Sequence, residues 1–357
     1  MAALRVLELY SGIGGMHQAL KGSRQPPLLA GYEGESCICA EVVAAVDVNT
    51  LANEVYKHNF PSTPLWAKTI EGITLKEFDR LSFDMILMSP PCQPFTRLQK
   101  LPKYLLLENV KGFESSSARL RYFLIAKLQQ EPFFFHVPGQ ILTRFPDQNL
   151  EELSMGKVID EASSSLPSGD KSLDSNTGPD CSSKKGPLPK RTFLFKLETA
   201  EEMVRKHSQD NDPSIQMLED FLEEENEEMS QYFLAPKSLV RYAFLLDIVK
   251  PTCRRSTCFT KGYGHYVEGT GSVLQTAVDV QLESVFKHIE NLTEEEKLMK
   301  LSTLKLRYFT PREIANLHGF PPEFGFPDKV SIKQCYRLLG NSLNVRVVAK
   351  LISILLG

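Results

Sequence analysis

The chain has 357 residues, of which 42% are hydrophobic and 24% are charged, close to the averages of soluble globular proteins. This composition excludes a wholly disordered or fibrous chain, and the length suits one large or two ordinary domains. The 41 basic and 44 acidic residues give a net charge of −3, so no overall positive charge indicates a nucleic-acid partner. A local basic patch is compatible with this balance.

The cysteines and the apolar stretches indicate a reducing compartment and no membrane partner. Seven scattered cysteines are too few for a disulfide framework. No stretch reaches the roughly 18 apolar residues of a membrane span. The segment before Leu4 shows no basic leader, so we expect no secretory signal and a cytoplasmic and nuclear location.

The first 137 residues predict alternating strands and helices. Leu4–Tyr10 predicts a strand, and the turn Ser11–Gly15 leads into a helix from Met16 to Lys21. Four further short apolar runs follow, at Val42–Val46, Phe83–Met88, Tyr104–Leu107 and Tyr122–Ala126. Continuous apolar runs bounded by turn residues are typical of strands buried on both faces, as in a parallel α/β sheet. We therefore predict a Rossmann-like α/β fold with a mostly parallel sheet and a second, smaller region.

The remainder of the chain divides by composition. Residues 151–190 contain nine Ser, four Gly, four Pro and no aromatic residue, so they cannot bury enough apolar surface to fold. We predict a disordered insert or linker at 138–191. Residues 192–310 form a mixed region that begins with an acidic stretch of solvated helices. Thr310 and Pro311 predict a capped helix, and a last helix is expected near the C-terminus. The core is predicted to comprise 1–137 and 311–357.

A glycine turn after the first strand predicts a cofactor site. Gly12, Gly14 and Gly15 allow a ligand to approach the backbone, and the helix N-terminus that follows favours polar or anionic groups. Asp47 ends the second strand, where a carboxylate can accept the ribose hydroxyls. Its separation from Gly15, 32 residues, exceeds the usual value of about 20. These two features alone also admit a nicotinamide-dependent oxidoreductase, which leaves the next motif unexplained.

The loop Ser89–Phe95 carries three prolines in seven residues and holds Cys92 at the ligand end of the sheet. A lone cysteine is usually a small buried hydrophobe, but a thiol held in an exposed turn becomes a nucleophile when its pKa is lowered. Glu108 follows the next strand, and Arg119 and Arg121 lie on one face at the start of the strand after it. Together these groups suit covalent attack on an electron-poor ring.

Other chemistry-bearing residues predict no site. Cys37 and Cys39 have no second pair at zinc-ligand spacing, so no metal is expected. Cys253 and Cys258 lack the flanking pattern of a redox pair. The isolated histidines are interpreted as structural; they are His17, His58 and His318.

Five segments, in order, resemble the motifs of S-adenosylmethionine-dependent cytosine-5 methyltransferases. They are Glu8–Gly15, Pro90–Gln93, Glu108–Val110, Arg119–Arg121 and Gly340–Val345. The segment Thr257–Gly264, with the short chain, is similar to the branch that methylates cytosine 38 of tRNA-Asp. The resemblance extends from residue 4 to the C-terminus.

The resemblance implies a role for each matched residue. Cys92 adds to C6 of the target cytosine, Glu108 supports N3 and the exocyclic amine, and Arg119 and Arg121 stabilise the adduct. The methyl donor S-adenosylmethionine is expected against a further group of residues, with Asp47 on the ribose and Ile70 and Glu71 near the adenine. That group is Ile13, Gly14, Gly15, Asp47, Ile70, Glu71, Ser89, Asn341 and Ser342.

The same resemblance implies that 192–310 recognises the target. Its expected contacts to phosphate and base come from Arg254, Arg255, Cys258, Lys261 and Tyr263. The base must leave its stack to react, and an anticodon loop already has unstacked bases. The expected partner is tRNA, above all tRNA-Asp, with DNA as the alternative and a monomer as the expected state.

The chain departs from the family at two places. Only twelve residues extend from Cys92 to Lys103, where parallel strands need a crossover of about a dozen residues or more, normally with a helix. Only eight residues, 111–118, separate Val110 from Arg119; a hairpin of this length closes if the Arg119 strand runs antiparallel to the Glu108 strand. We interpret the chain as a splice-variant form with a shortened catalytic core. The alternative function is a catalytically impaired protein that binds tRNA or cosubstrate.

Overall fold

The computed structural model describes residues 3–22, 39–90, 102–110, 121–128, 133–135, 141–142, 144–146, 200–266 and 269–357. The chain divides into two compact units, one comprising Met1–Gln129 and Phe193–Gly357 and the other Gln130–Thr192. The predicted core strands and the region after residue 192 lie in the first unit. Cys92, Arg119 and nearly all of the predicted insert at 138–191 lie outside the described residues. The predicted domain boundaries stay a prediction.

A six-stranded sheet forms the centre of the first unit, in the order β3-β2-β1-β4-β5-β6. All neighbours are parallel except β5 and β6, which are antiparallel. The strands are β1 Leu4–Leu9, β2 Ala40–Val46, β3 Leu65–Trp66, β4 Met85–Met88, β5 Tyr104–Val110 and β6 Arg121–Lys127. The strand order reverses direction between β1 and β4, which is where open α/β sheets bind ligands. The predicted Rossmann-like fold is confirmed.

Three helices follow the first strands, and the C-terminal helix returns to the sheet. They are α1 Gly15–Gly22, α2 Thr50–Asn59, α3 Leu75–Leu81 and α10 Val345–Leu356. Helix α10 packs against α1 and also contacts β5 and β6. Its apolar residues recur at helical spacing and bury one face, including Val348 and Ile352. The last segment of the chain therefore completes the core.

Strand β5 is longer than the sequence pattern predicts. The prediction ended the strand at Leu107 with Glu108 beyond it, but the strand continues to Val110. The reason is tertiary, because β6 pairs with β5 through Val110 and Arg121 and extends the ladder past the parallel partner β4. The antiparallel pairing of β5 and β6 meets the condition for a short connection between them.

The region after residue 200 builds a smaller, three-stranded sheet with its own apolar cluster. The sheet has the order β7-β8-β9, formed by Ile248–Val249, Val273–Gln275 and Leu306–Arg307. The helices around it are α4 Ala200–Asp210, α5 Pro236–Tyr242, α6 Leu282–Phe286, α7 Glu294–Ser302, α8 Pro311–Leu317 and α9 Ile332–Leu339. Buried residues from several of these elements, among them Leu239, Phe286 and Leu301, form one cluster.

A buried ion pair joins this smaller sheet to helix α8. Thr310 and Glu313 form the capping box that the sequence predicts at the helix start. The Glu313 carboxylate also receives two hydrogen bonds from Arg307, at 2.8 and 2.7 Å, and both side chains are almost completely buried. The geometry is bidentate, which is the strong arrangement for arginine and carboxylate.

Two kinds of feature are absent from the described part of the chain. Within the described ranges, no helix combines the length and apolarity needed to cross a membrane. The same part of the chain contains no group of three or more His, Cys, Asp or Glu side chains that could hold a metal ion.

Candidate functional site

The turn after β1 has an unusual backbone. Tyr10, Gly12 and Gly14 all have positive φ angles, of 54°, 53° and 86°. Such angles are rare for a residue like tyrosine and cluster at functional sites. The turn is held from the neighbouring strand, since the Gly12 amide donates to Asp47 Oδ2 at 2.8 Å. The second Asp47 oxygen accepts from the Asn49 amide, so this carboxylate fixes the turn and keeps lone pairs for a ligand.

Predicted cofactor residues from three strands converge at one edge of the sheet. Leu9, Val46 and Met88 are register partners, so the residues after them lie side by side. The Ser89 hydroxyl donates to the Tyr10 carbonyl at 3.1 Å. A Cβ on Gly15 would lie 3.2 Å from Ser342 Oγ, which places the C-terminal motif against the turn. The remaining predicted cofactor residues differ in how far their side chains are exposed to solvent.

Ile13 is buried, Asn341 is exposed and Ser342 is almost completely buried. Ile70 and Glu71 begin a short 3₁₀ turn, Ile70–Gly72, capped by the Thr69 hydroxyl. Ile70 packs against the apolar cluster of the sheet, while Glu71 is exposed. The roles that the resemblance assigns to these residues stay predictions.

A buried polar network lies beneath the glycine turn. Glu8, the fifth residue of β1, is only 1% exposed. Its carboxyl accepts from the Tyr56 hydroxyl at 2.8 Å and from the His17 amide at 3.3 Å, and His17 Nδ1 lies 2.8 Å from the Tyr56 hydroxyl. The His17 ring stacks on Phe60 with centroids 3.8 Å apart. Phe60 in turn fills the space that a Cβ on Gly14 would need.

Burial raises the pKa of Glu8 to about 8, against the lowering effect of its hydrogen bonds from Tyr56 and His17. The sequence pattern does not indicate this network and favours only a structural role for His17. The available sign was Glu8, a carboxylate between the apolar Leu7 and Leu9, because strand interiors buried on both faces rarely carry an unpaired charge.

The predicted catalytic residues are only partly described. Glu108 is buried and follows Leu107, the register partner of Met88, so it reaches the same edge as Ser89. Arg121, on β6, is the register partner of Val110, which follows Glu108 by two positions on β5. Cys92 and Arg119 are outside the described residues. The structure thus brings Glu108 to the predicted cofactor edge and leaves the assigned chemistry a prediction.

Arg254 and Arg255, predicted to contact nucleic acid, are engaged within the protein. Arg255 donates to both oxygens of Asp247 at 3.1 Å, and Lys206 pairs with the same carboxylate at 2.6 Å. Burial alone would raise the pKa of Asp247, but Arg255, Lys206 and a hydrogen bond from Ser272 lower that pKa to about 2. Arg254 donates to the Ile215 carbonyl. Neither contact was predicted.

The loop with the other predicted substrate residues packs on the C-terminal motif. A Cβ on Gly340 would overlap the backbone of Thr260 and Lys261, so only glycine fits there. Cys258 and Lys261 are exposed. Tyr263 is buried, and its hydroxyl donates to the Ser272 carbonyl and accepts from the Phe309 amide, which stabilises the loop.

Two clefts are found near this region. One, of about 630 Å³, is lined by Lys261, His265, three tyrosine rings and several small polar residues; the tyrosines are Tyr242, Tyr266 and Tyr308. The residues lining it include no carboxylate. The other, of about 320 Å³, contains Arg312 and Cys335 and none of the predicted site residues.

The sequence matches the family of C-5 cytosine-specific DNA methylases over residues 4–101 and 113–356. The chain belongs to this family. It is 56% identical to the human tRNA (cytosine(38)-C(5))-methyltransferase, in an alignment covering 99% of this chain and 100% of that protein. A Spodoptera frugiperda protein of the same name is 36% identical, with 98% of each chain covered.

Solved structures of the family share the fold. A mutant of S. frugiperda DNMT2 aligns with a TM-score of 0.67 and 30% identity, covering 99% of this chain and 100% of that one. The Dnmt2 methyltransferase of Schizosaccharomyces pombe aligns with a TM-score of 0.62 and 28% identity, with 99% and 98% covered. These likenesses extend over the whole chain.

Members of this cytosine methylase family use S-adenosylmethionine, and the cofactor edge fits such a ligand. The hydroxyl of Ser11, inside the turn, is buried and meets no hydrogen-bond partner among the described residues, so a polar ligand would satisfy it. A Cβ on Gly12 would meet open space, which leaves the turn accessible. The Asp47 carboxylate lies beside this opening.

Proposed function

We propose that this chain transfers a methyl group from S-adenosylmethionine to C5 of cytosine 38 in tRNA, with tRNA-Asp as its substrate. The observation that carries the proposal is the near full-length identity to relatives named tRNA (cytosine(38)-C(5))-methyltransferase, 56% and 55% for the human and bovine proteins. The Dictyostelium relative named DNA (cytosine-5)-methyltransferase is 32% identical. The higher identities therefore favour tRNA over DNA.

The residues at the sheet edge would hold the cosubstrate. Gly14 and Gly15 allow close approach of the backbone, Asp47 accepts from the ribose hydroxyls, and Ser11 and Ser342 offer hydroxyls. When bound, S-adenosylmethionine supplies an electrophilic methyl group on its sulfonium. We propose no metal, because this chemistry requires only a nucleophile and that methyl group.

The chain's own groups would make the cytosine reactive. The Cys92 thiolate bonds to C6, and the electron pair of the C5–C6 double bond moves to C5. Glu108 donates to N3 and accepts from the exocyclic amine, while Arg119 and Arg121 stabilise the charge of the adduct. After C5 takes the methyl group, loss of the C5 proton re-forms the double bond and expels the Cys92 thiolate.

The cleft beside Lys261 supports RNA as the substrate. Tyrosine faces stack with bases of any sequence, and a lysine at the rim pairs with phosphate. The loop Thr257–Gly264, which carries predicted substrate residues, packs on Gly340. Gly340 belongs to the C-terminal motif, whose Ser342 lies against Gly15. A nucleic acid in the cleft would therefore lie on elements continuous with the cofactor edge.

The decisive experiment measures transfer of labelled methyl to tRNA-Asp. We expect incorporation by the full chain, none by Cys92→Ser and none into tRNA-Asp that carries uridine at position 38. A tRNA with 5-fluorocytosine at position 38 should form a stable conjugate with the parent chain, because fluorine cannot leave as a proton does. Equal methylation of duplex DNA, or incorporation by Cys92→Ser, contradicts the proposal.

The shortened core supports a second candidate, a tRNA- or cosubstrate-binding protein with impaired turnover. The alignment to the human relative extends over 413 positions, so at least 56 of them, 413 minus 357, have no residue in this chain. Parallel strands β4 and β5 are joined by only residues 89–103. Misplacement of a nucleophile by about 1 Å costs about a hundredfold in rate. Tight tRNA binding, unchanged by Cys92→Ser and without methyl transfer, selects this candidate.

We further propose that the chain is a monomer, located in the cytoplasm and nucleus, without a membrane partner. The scattered cysteines support the proposed location, and the lack of long apolar stretches in the sequence supports the lack of a membrane partner. Sedimentation equilibrium measures the mass in solution, and a fluorescent fusion shows the location. A concentration-dependent dimer or a membrane-associated fusion contradicts it.

A further inference from the structure

The carboxyl of Glu8 is a buried acid that the proposed mechanism does not use. It lies in β1 directly before the glycine turn and receives the His17 amide from the first turn of α1. No ion pair to Glu8 is present among the residues that the structure describes. The described side chains around Glu8 therefore form hydrogen bonds to this acid but include no cation that balances it when it ionises.

Among the described side chains around Glu8, none places a positive charge against its carboxyl. Asp47, after β2, acts on Glu8 in the same direction as burial and favours the protonated carboxyl. Tyr56, on α2, and His17, on α1, contact it through hydrogen bonds. Lys21, further along α1, lies over the Phe60 ring at 4.6 Å instead of pairing with the acid. Two carboxyl groups thus flank the turn, which suits a ligand that carries positive charge.

The network has two proton arrangements that differ by one proton. With Glu8 protonated, the carboxyl donates to the Tyr56 oxygen and the Tyr56 hydroxyl donates to His17 Nδ1. With Glu8 ionised, His17 Nδ1 donates to the Tyr56 oxygen and the Tyr56 hydroxyl donates to the carboxylate. The contacts of 2.8 Å fit both arrangements. Each hydrogen moves one step along the chain, and the network as a whole gives up one proton.

We propose that Glu8 is a proton-linked charge partner of the cosubstrate, protonated in the free protein and ionised when a cationic ligand binds at the glycine turn. The inference rests on the proposed function, which places S-adenosylmethionine at this turn. Its sulfonium is the charge that the product S-adenosylhomocysteine lacks. The network therefore favours the methyl donor over the spent product, and Tyr56 and His17 are its positioning residues.

The test is calorimetric titration of the full chain with S-adenosylmethionine in buffers of different ionisation enthalpy. For a tenfold preference of the ligand for the ionised form, linkage predicts release of about half a proton at pH 7.5. Glu8→Gln, which resembles the protonated acid, should release none of this half proton and should lose the preference for S-adenosylmethionine over S-adenosylhomocysteine. The amine of the ligand contributes equally to both proteins and cancels in the difference.

Two further variants separate this role from a structural one. Glu41→Gln removes an exposed carboxylate on the neighbouring strand β2 and should leave proton release unchanged. Tyr56→Phe removes a hydrogen bond that favours the ionised acid, so proton release should move to higher pH. Binding with equal proton release by the parent chain and Glu8→Gln overturns this inference alone. Absence of any S-adenosylmethionine binding by the parent chain overturns both this inference and the proposed function.

Discussion

Replacement of Glu8 by glutamine is expected to change how the free energy of unfolding depends on pH. The pKa of Glu8 is raised from 4.5 to about 8 by burial, so the folded state holds a proton that the unfolded chain has already lost. The stability that this proton contributes is fully present below about pH 4.5 and is lost as pH rises through about 8. Glutamine keeps the hydrogen-bonding shape of the protonated acid and has no proton to lose.

The magnitude follows from the size of the shift. About 3.5 pKa units at about 1.4 kcal/mol each correspond to about 5 kcal/mol between pH 4.5 and pH 9, of which about 3 kcal/mol is lost by pH 7. Asp247, whose pKa is lowered to about 2, acts in the opposite direction but only below about pH 4. The pH windows of Glu8 and Asp247 therefore do not overlap. The contribution of Asp247 is also the same in the parent chain and in Glu8→Gln, so it cancels in the comparison.

Urea unfolding of the full chain between pH 5 and pH 8.5 measures the effect. We expect the advantage of Glu8→Gln over the parent chain in free energy of unfolding to grow by about 2.5 kcal/mol between pH 5 and pH 7. The exposed Glu41→Gln serves as the control and should follow the parent curve at every pH. Parallel curves for the parent chain and Glu8→Gln would refute the argument that the buried acid holds its proton.

Three further predictions concern the smaller sheet and its loop. Glu313→Gln leaves the buried Arg307 guanidinium without its countercharge and should lower the free energy of unfolding by about 3–5 kcal/mol, measured in urea. Gly340→Ala forces the Thr260 backbone away and should cost about 1–3 kcal/mol, together with a lower methyl-transfer rate on tRNA. Lys261→Ala should weaken tRNA binding and reduce the slope of log affinity against log salt by about one, measured by filter binding.

Matched variants exist for each of these changes. Glu296 forms an equivalent capping box at α7, but it is exposed and pairs with no arginine in the described part of the chain, so Glu296→Gln should cost far less than Glu313→Gln. Gly22→Ala adds a Cβ with its nearest neighbour at 3.9 Å, and Lys76→Ala removes an exposed lysine from α3, outside the cleft. Equal effects within any of the three pairs contradict the corresponding argument.

Local patterns in the sequence determined most of the secondary structure that forms the site. The apolar run of β1, the glycine turn and the capping box of Thr310 and Glu313 are each encoded within a few residues. Short-range rules of burial and capping suffice for such features. The family resemblance, which depends on ordered motifs, was equally visible in the sequence.

Only the tertiary structure decided which side chains meet. Tyr56 lies 48 residues from Glu8, and Gly340 meets a loop about 80 residues earlier, so no local rule connects them. The length of β5 depends likewise on pairing with β6. Arg255 forms an ion pair with Asp247 because packing of the smaller sheet brings the two side chains together. Local propensities act over a few residues, whereas burial and charge pairing depend on the whole chain, because distant segments must fold together to exclude water.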